Sequence, residues 1–199
     1  MEKIFLDDEI ICYKTTYLSK NTNEFLIDKI YKLISEQPDV DRDGYVLLNY
    51  EIYFEDIINF GLEQCKELII ERNIKYNDIY KEHWINRVDK KNIKQLTTNE
   101  TPIFHNHVSI SKQNKLPIPD FTYVYYIQLQ DNLKNNEAHL MIKNKKGNIY
   151  SFLPIQNDFI ILDGDVPHSP VPALNSSKDR LVLVGNIAFR NFKKDKTFI

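Results

Sequence analysis

The spacing of hydrophobic positions changes near residue 80. Before it, Leu26, Ile30, Leu33 and Ile34 fall on one helical face, following Asn21-Thr22-Asn23-Glu24. That word combines a capping side chain with a carboxylate and reads as a helix start. Pro38 is expected to stop this helix, because its ring clashes with the preceding turn and it offers no amide proton. Phe54, Ile57, Ile58, Leu62, Cys65, Leu68 and Ile69 repeat the i, i+3, i+4 rhythm and predict a second helix. Ile4 to Tyr13 reads as a strand. From Trp84 the period shortens to that of strands, with Gly, Pro and Asn gathered between short runs. Strands are expected near 84–88, 103–108, 121–129, 138–143, 148–153, 158–162 and 181–189.

A helical segment followed by many short strands predicts a mainly β sandwich or closed β structure with helices packed outside it. The 199 residues suit one domain, with 1–80 as helical and strand support and 81–190 as the β core. Composition changes this picture little. Apolar residues at 42% and charged residues at 27% are ordinary for a soluble globular chain. A net charge of −2 supplies no field to attract a polyanion, so nucleic acid is not the expected partner. The first residues lack the basic start and apolar stretch of a secretory signal, and no apolar run approaches the ~20 residues of a membrane span. The expected location is therefore the cytoplasm, where Cys12 and Cys65 would be buried free thiols that fill the core.

Candidate chemistry enters with the histidines. Of five in the chain, three stand in a pattern: His105 and His107 in Phe104-His105-Asn106-His107, then His168 after Pro167. Two residues apart on a strand, His105 and His107 would project from one face, and the intervening chain is long enough to return with the third. Three neutral imidazoles can hold a divalent metal and leave coordination positions open. Arg180 opens the last strand-like run, where a guanidinium can pair bidentately with a carboxylate. His83 and His139 belong to no such pattern, and a structural role is expected for each.

Further words fall in order around these residues. They are Trp84-Ile85-Asn86-Arg87, Phe121-Thr122-Tyr123-Val124-Tyr125-Tyr126-Ile127-Gln128, Asp158-Phe159-Ile160-Ile161-Leu162, Pro167-His168-Ser169-Pro170-Val171-Pro172-Ala173 and Asp179-Arg180-Leu181-Val182-Leu183. From about residue 80 to 190 the chain resembles the 2-oxoglutarate/Fe(II)-dependent oxygenase superfamily, in particular its prolyl-hydroxylase-like branch and related bacterial and phage oxygenases. The resemblance implies a double-stranded β-helix, or jelly roll, with N-terminal flanking helices. It implies Fe(II) bound by His105, His107 and His168, and 2-oxoglutarate bound by Arg180 with Tyr126 and Thr122 lining its pocket. Strand alternation puts 122, 124 and 126 on one face, in agreement. The implied reaction consumes O₂ and 2-oxoglutarate, releases succinate and CO₂, and hydroxylates a C–H bond of a small metabolite, an amino acid or a peptidyl residue.

The chain departs from the family pattern twice. His107 stands where an aspartate is usual, and Glu137-Ala138-His139 stands where a Gly-Gly is common. Rival readings are weaker. A cupin-type dioxygenase would need a glutamate shortly after the histidine pair, and Ser109 to Lys112 has none. Its distal word would also be one residue shorter than Gly164-Asp165-Val166-Pro167-His168. A non-catalytic jelly-roll binding protein would bind no iron. An HNH nuclease needs a helix after its motif, and Lys115-Leu116-Pro117-Ile118-Pro119 argues against one. The segments expected to frame a substrate are Ser109 to Asp120 and Asp131 to Asn136, both loop-like in composition.

Overall fold

Asp7 and Asp8 both adopt the left-handed backbone region, with φ of 50° and 66°. Aspartate tolerates this conformation, and consecutive positive φ values suit a tight hairpin turn. The N-terminal run expected as one strand is therefore two: β1 (Glu2–Leu6) returns antiparallel as β2 (Glu9–Thr16). The computed structural model describes residues 1–36, 41–42, 45–47, 51–89, 97–98 and 101–191. Helix α1 (Asn23–Glu36) starts as expected, with the Phe25 amide donating to Thr22 Oγ1 at 3.3 Å. Pro38 lies outside the described residues. After β3 (Asp41–Arg42) and β4 (Tyr45–Leu47), helix α2 (Glu55–Glu71) buries Ile57, Ile58, Cys65, Leu68 and Ile69 along the predicted stripe.

The remaining elements are β5 (Asp78–Val88), β6 (Thr97–Thr98), β7 (Thr101–Pro102), α3 (His107–Asn114), β8 (Phe121–Gln128), β9 (Leu140–Lys143), β10 (Ile149–Phe152), β11 (Asp158–Asp163), β12 (His168–Pro170) and β13 (Arg180–Arg190). Eight strands form a major sheet in the order β1-β2-β11-β8-β13-β5-β4-β3, and a minor sheet runs β10-β9-β12. The central strands β11, β8, β13 and β5 pair antiparallel without exception. His105 extends the minor sheet by one bridge to His168. The two sheets make the expected jelly roll with flanking helices. Because β2 pairs with β11, residues before 80 belong to the main sheet as well as to its support.

The major sheet is buried on both faces, which explains why β8 and β13 read as continuous apolar runs. Phe121, Tyr123, Tyr125, Phe159 and Leu183 face the helices, together with Leu26, Ile30 and Ile57. Val124, Tyr126, Ile160, Val182 and Val184 face the minor sheet with Leu140 and Ile142. The Tyr123 ring needs glycine beside it: a Cβ on Gly185 would sit 2.4 Å from the ring, and one on Gly61 of α2 would sit 2.7 Å away. Both cysteines are free and buried, as expected. Burial pushes the Cys12 thiol up to about 12, so it is no nucleophile at neutral pH.

One strand is corrected. Only His105 of 103–108 is in a bridge, and α3 begins at His107. Capping chemistry defeats the alternation. Asn106 has an extended backbone, and its side chain accepts the Ser109 amide at 2.7 Å. The Gly164 carbonyl accepts the His107 and Val108 amides, both at 3.0 Å, and so satisfies two more donors of the first turn. A helix does therefore follow the His-Asn-His word, contrary to the ground given against a nuclease. That reading fails instead on topology, since the partner histidine comes from a jelly-roll strand. Ala138 is also informative: it holds φ of 58° while 1% exposed, a backbone that glycine adopts without strain. No helix among the described residues is long and apolar enough to cross a membrane.

Candidate metal centre

His105, His107 and His168 come together although only the third lies in a strand. Each offers one ring nitrogen, and these atoms all lie within 4.8 Å of one another. Ring centroids are 4.5 Å apart for His105 and His168, 5.2 Å for His107 and His168, and 5.6 Å for His105 and His107. Two backbone links set this geometry. His105 and His168 exchange amide hydrogen bonds at 3.0 and 2.9 Å, and the Gly164 carbonyl ties His107 to the turn that leads into His168. A side chain at Gly164 would place its Cβ 2.2 Å from the Pro119 carbonyl oxygen, so only glycine fits that turn.

The protonation of the cluster follows from its surroundings. His168 Nδ1 lies 3.0 Å from the Val166 carbonyl, which can only accept, so Nδ1 carries the proton and Nε2 keeps a lone pair. Burial holds the His168 pKa well below its ordinary value, and the neighbouring His105 and His107 lower it further. Burial, then His105, hold His107 down at about 3, against a hydrogen bond to the Asn186 side chain that raises it. Burial also lowers His105, opposed by a hydrogen bond to the Ile103 backbone. All three are neutral at pH 7, which is the state in which imidazole binds a metal. His168 has an outer hydrogen-bond partner, as oriented metal-ligating histidines generally do. The donor set thus fits a divalent transition metal.

The histidines line one side of a cavity of about 480 Å³ that opens between the sheets, with Trp84, Asn86, Tyr126, Val184 and Arg180 also on its wall. Trp84 lies over His107 with ring centroids 5.8 Å apart and planes 26° from parallel. Arg180 is 2% exposed, and its one described hydrogen bond runs from Nη1 to the Val171 carbonyl at 3.4 Å. Among the described residues no carboxylate pairs with it. Burial lowers its pKa, and Tyr126 opposes that shift. Burial likewise raises the Tyr126 hydroxyl, which remains protonated and can donate.

The other expected residues divide. Thr122 is fully buried on the same strand face as Tyr126, but it is not part of the cavity wall. Its hydroxyl donates to Asn186 Oδ1 at 2.9 Å. His83 lines the cavity, whereas His139 bonds Ser151 through Nδ1 at 3.0 Å. The segment Ser109 to Asp120, expected as a loop, begins inside α3 and contributes Ile110, Ser111, Asn114 and Leu116 to the wall. Asp131 to Asn136 does not reach the cavity. Asp131 instead accepts from Ser176 Oγ at 2.9 Å and Ser177 Oγ at 2.6 Å, which fastens that turn to another loop. Sequence reasoning assigned no role to Asn186. Its signal was present, as a polar residue in register with Val182 and Val184 on the inner face of an apolar strand.

The fold and the histidine cluster together define a jelly-roll protein built around a candidate metal centre. No protein-family model matches the sequence, and no curated protein matches it either. Solved structures do share the fold. A prolyl-4-hydroxylase from Pseudomonas putida superposes with a TM-score of 0.56 at 14% identity, over 90% of this chain and 92% of that one. A prolyl hydroxylase from Trichoplax adhaerens, in complex with a hypoxia inducible factor oxygen degradation domain peptide fragment, gives 0.54 at 11% identity, over 88% and 82%.

Proposed function

We propose that the protein is an Fe(II)- and 2-oxoglutarate-dependent oxygenase that hydroxylates a C–H bond. The observation that carries this reading is Arg180: a buried guanidinium with no carboxylate partner among the described residues, on the wall of the cavity that also holds the three histidines. A buried, uncompensated charge is costly, and an anionic ligand relieves that cost. A dicarboxylate that reaches from Arg180 towards the histidine cluster satisfies both ends. Tyr126, on the same wall, offers a hydroxyl to a carboxylate oxygen. Iron held by His105, His107 and His168 would supply oxidative decarboxylation of the keto acid and activation of O₂. The chain's own part is to keep three imidazoles neutral, orient the acid through Arg180 and exclude water with the apolar wall of Val124, Val182 and Val184.

The side of the cavity formed by Trp84, Asn86, Ile110 and Asn114 frames the substrate in this reading. A small metabolite, an amino acid or a peptidyl residue fits its mixed lining, and the peptide held by the Trichoplax hydroxylase supports the last class. An anaerobic Fe²⁺ titration followed by 2-oxoglutarate tests the proposal through the weak visible charge-transfer band of the chelate. The wild type is expected to bind one iron and develop the band. His168→Ala should lose iron binding by at least about 100-fold. Arg180→Ala should bind iron and fail to form the band. Stoichiometric iron retained by His168→Ala, or an unchanged band in Arg180→Ala, would overturn the assignment.

A further inference from the structure

We infer that the substrate hydroxylated carries an ammonium group, and that Glu82 is the residue that selects it. This rests on the oxygenase reading above and deepens it by naming a substrate class. Among the described residues that line the cavity, Arg180 is the one permanent cation and Glu82 the one carboxylate. Strand register puts them at opposite ends. Arg180 pairs with Val88 of β5, whereas Glu82 pairs with Asn186, so the two positions are six residues apart along β5, about 20 Å of strand. Trp84 lies between them on the same strand face as Glu82, and its ring lies over His107 at 5.8 Å. The histidine cluster therefore sits between the two charges. A five-carbon keto acid that spans from Arg180 to the histidines cannot also reach Glu82, which faces the part of the cavity left for the substrate.

Glu82 is half-buried, and among the described residues it makes no ion pair and no hydrogen bond. Arg190, on the adjoining strand, lies instead over the Tyr80 ring at 5.5 Å. A ligand entering the cavity strips water from a carboxylate on its wall. A neutral or anionic substrate would leave that charge uncompensated, whereas an ammonium replaces the lost water with a charge-assisted hydrogen bond. The two charges also fix a direction. An ammonium is drawn to Glu82 and repelled by Arg180, so a carbon of the chain that follows it is presented to the histidines. Trp84, Ile110 and Leu116 give that chain apolar surface. A cavity of about 480 Å³ that also holds the keto acid has room for a single residue or a small amine. The ammonium is therefore the α-amino group of a free amino acid or the side-chain amine of a lysyl residue.

Calorimetric titration of the full, metal-free chain with three probes of similar size tests this. L-norleucine N-methylamide carries an α-ammonium, Nα-acetyl-L-lysine N-methylamide a side-chain ammonium, and Nα-acetyl-L-norleucine N-methylamide no charge. One of the two cationic probes should bind at least about 10-fold more tightly than the neutral one, and which of them does so identifies the source of the ammonium. Glu82→Gln, which keeps the shape of the side chain, should abolish that preference and leave the neutral probe's affinity unchanged. Equal binding of all three probes, a preference that survives in Glu82→Gln, or no binding of any probe would overturn the inference. The iron and 2-oxoglutarate titration above is independent of this one. A chelate band without an ammonium preference defeats the substrate class alone, whereas a Glu82-dependent preference without the band defeats the oxygenase reading and leaves an ammonium-binding cavity.

Discussion

Strands β8 and β13 present two faces built for opposite purposes. The outward face of Phe121, Tyr123, Tyr125, Leu181 and Leu183 is hydrocarbon packed beneath α1 and α2, and the Tyr125 hydroxyl on it donates to Asn157 Oδ1 at 2.8 Å. The inward face of the same strands carries Tyr126, Arg180 and Asn186 towards three histidines. Alternation with a period of two residues lets one strand serve both faces. Apolar burial outside stabilises the sheet, and that excess offsets polar groups held inside away from water. A protein that must keep a guanidinium and three neutral imidazoles dry needs such a second face.

Mutations on the two faces should separate stability from binding. Phe159→Ala removes a fully buried ring from the outward face and should cost about 3–5 kcal/mol in urea unfolding, while the folded fraction keeps its metal stoichiometry. Equal damage to metal binding would mean that the faces are not independent. Arg180→Met on the inward face should act in the opposite sense. Removing a buried charge that has no carboxylate partner among the described residues should stabilise the metal-free protein by about 1–3 kcal/mol and abolish 2-oxoglutarate binding. A destabilised variant would show that Arg180 is structurally satisfied.

Acid should expose the same contrast. The three histidines have pKa values lowered in the folded state, whereas unfolded histidine titrates near 6.5. Below that pH the unfolded chain binds more protons than the folded one. Stability of the metal-free protein is therefore fully present above about pH 6.5 and falls as pH drops towards the His107 value of about 3. Urea midpoints at pH 7.5 and 5 check this, and His107→Gln should flatten the dependence. The smallest effect is expected for Asn106→Ala, which removes the α3 cap at about 1 kcal/mol. It should leave metal binding nearly unchanged in a Co²⁺ titration, because the Gly164 carbonyl still holds the His107 amide.

Much of this was legible in the residues themselves. Helical periodicity located α1 and α2, alternation located most strands, and residue chemistry marked His105, His107, His168 and Arg180, because period and side-chain type are local properties of a chain. Local signals failed where two of them competed. The Asn106 cap and the Gly164 carbonyl turned an expected strand into a helix start, and two aspartates turned one strand into a hairpin. What only the tertiary structure decided was pairing across long separations. Strand register brings Thr122 opposite Asn186, and sheet closure brings Trp84 over His107. Register is set by how whole faces pack against one another, so no single stretch of sequence records it.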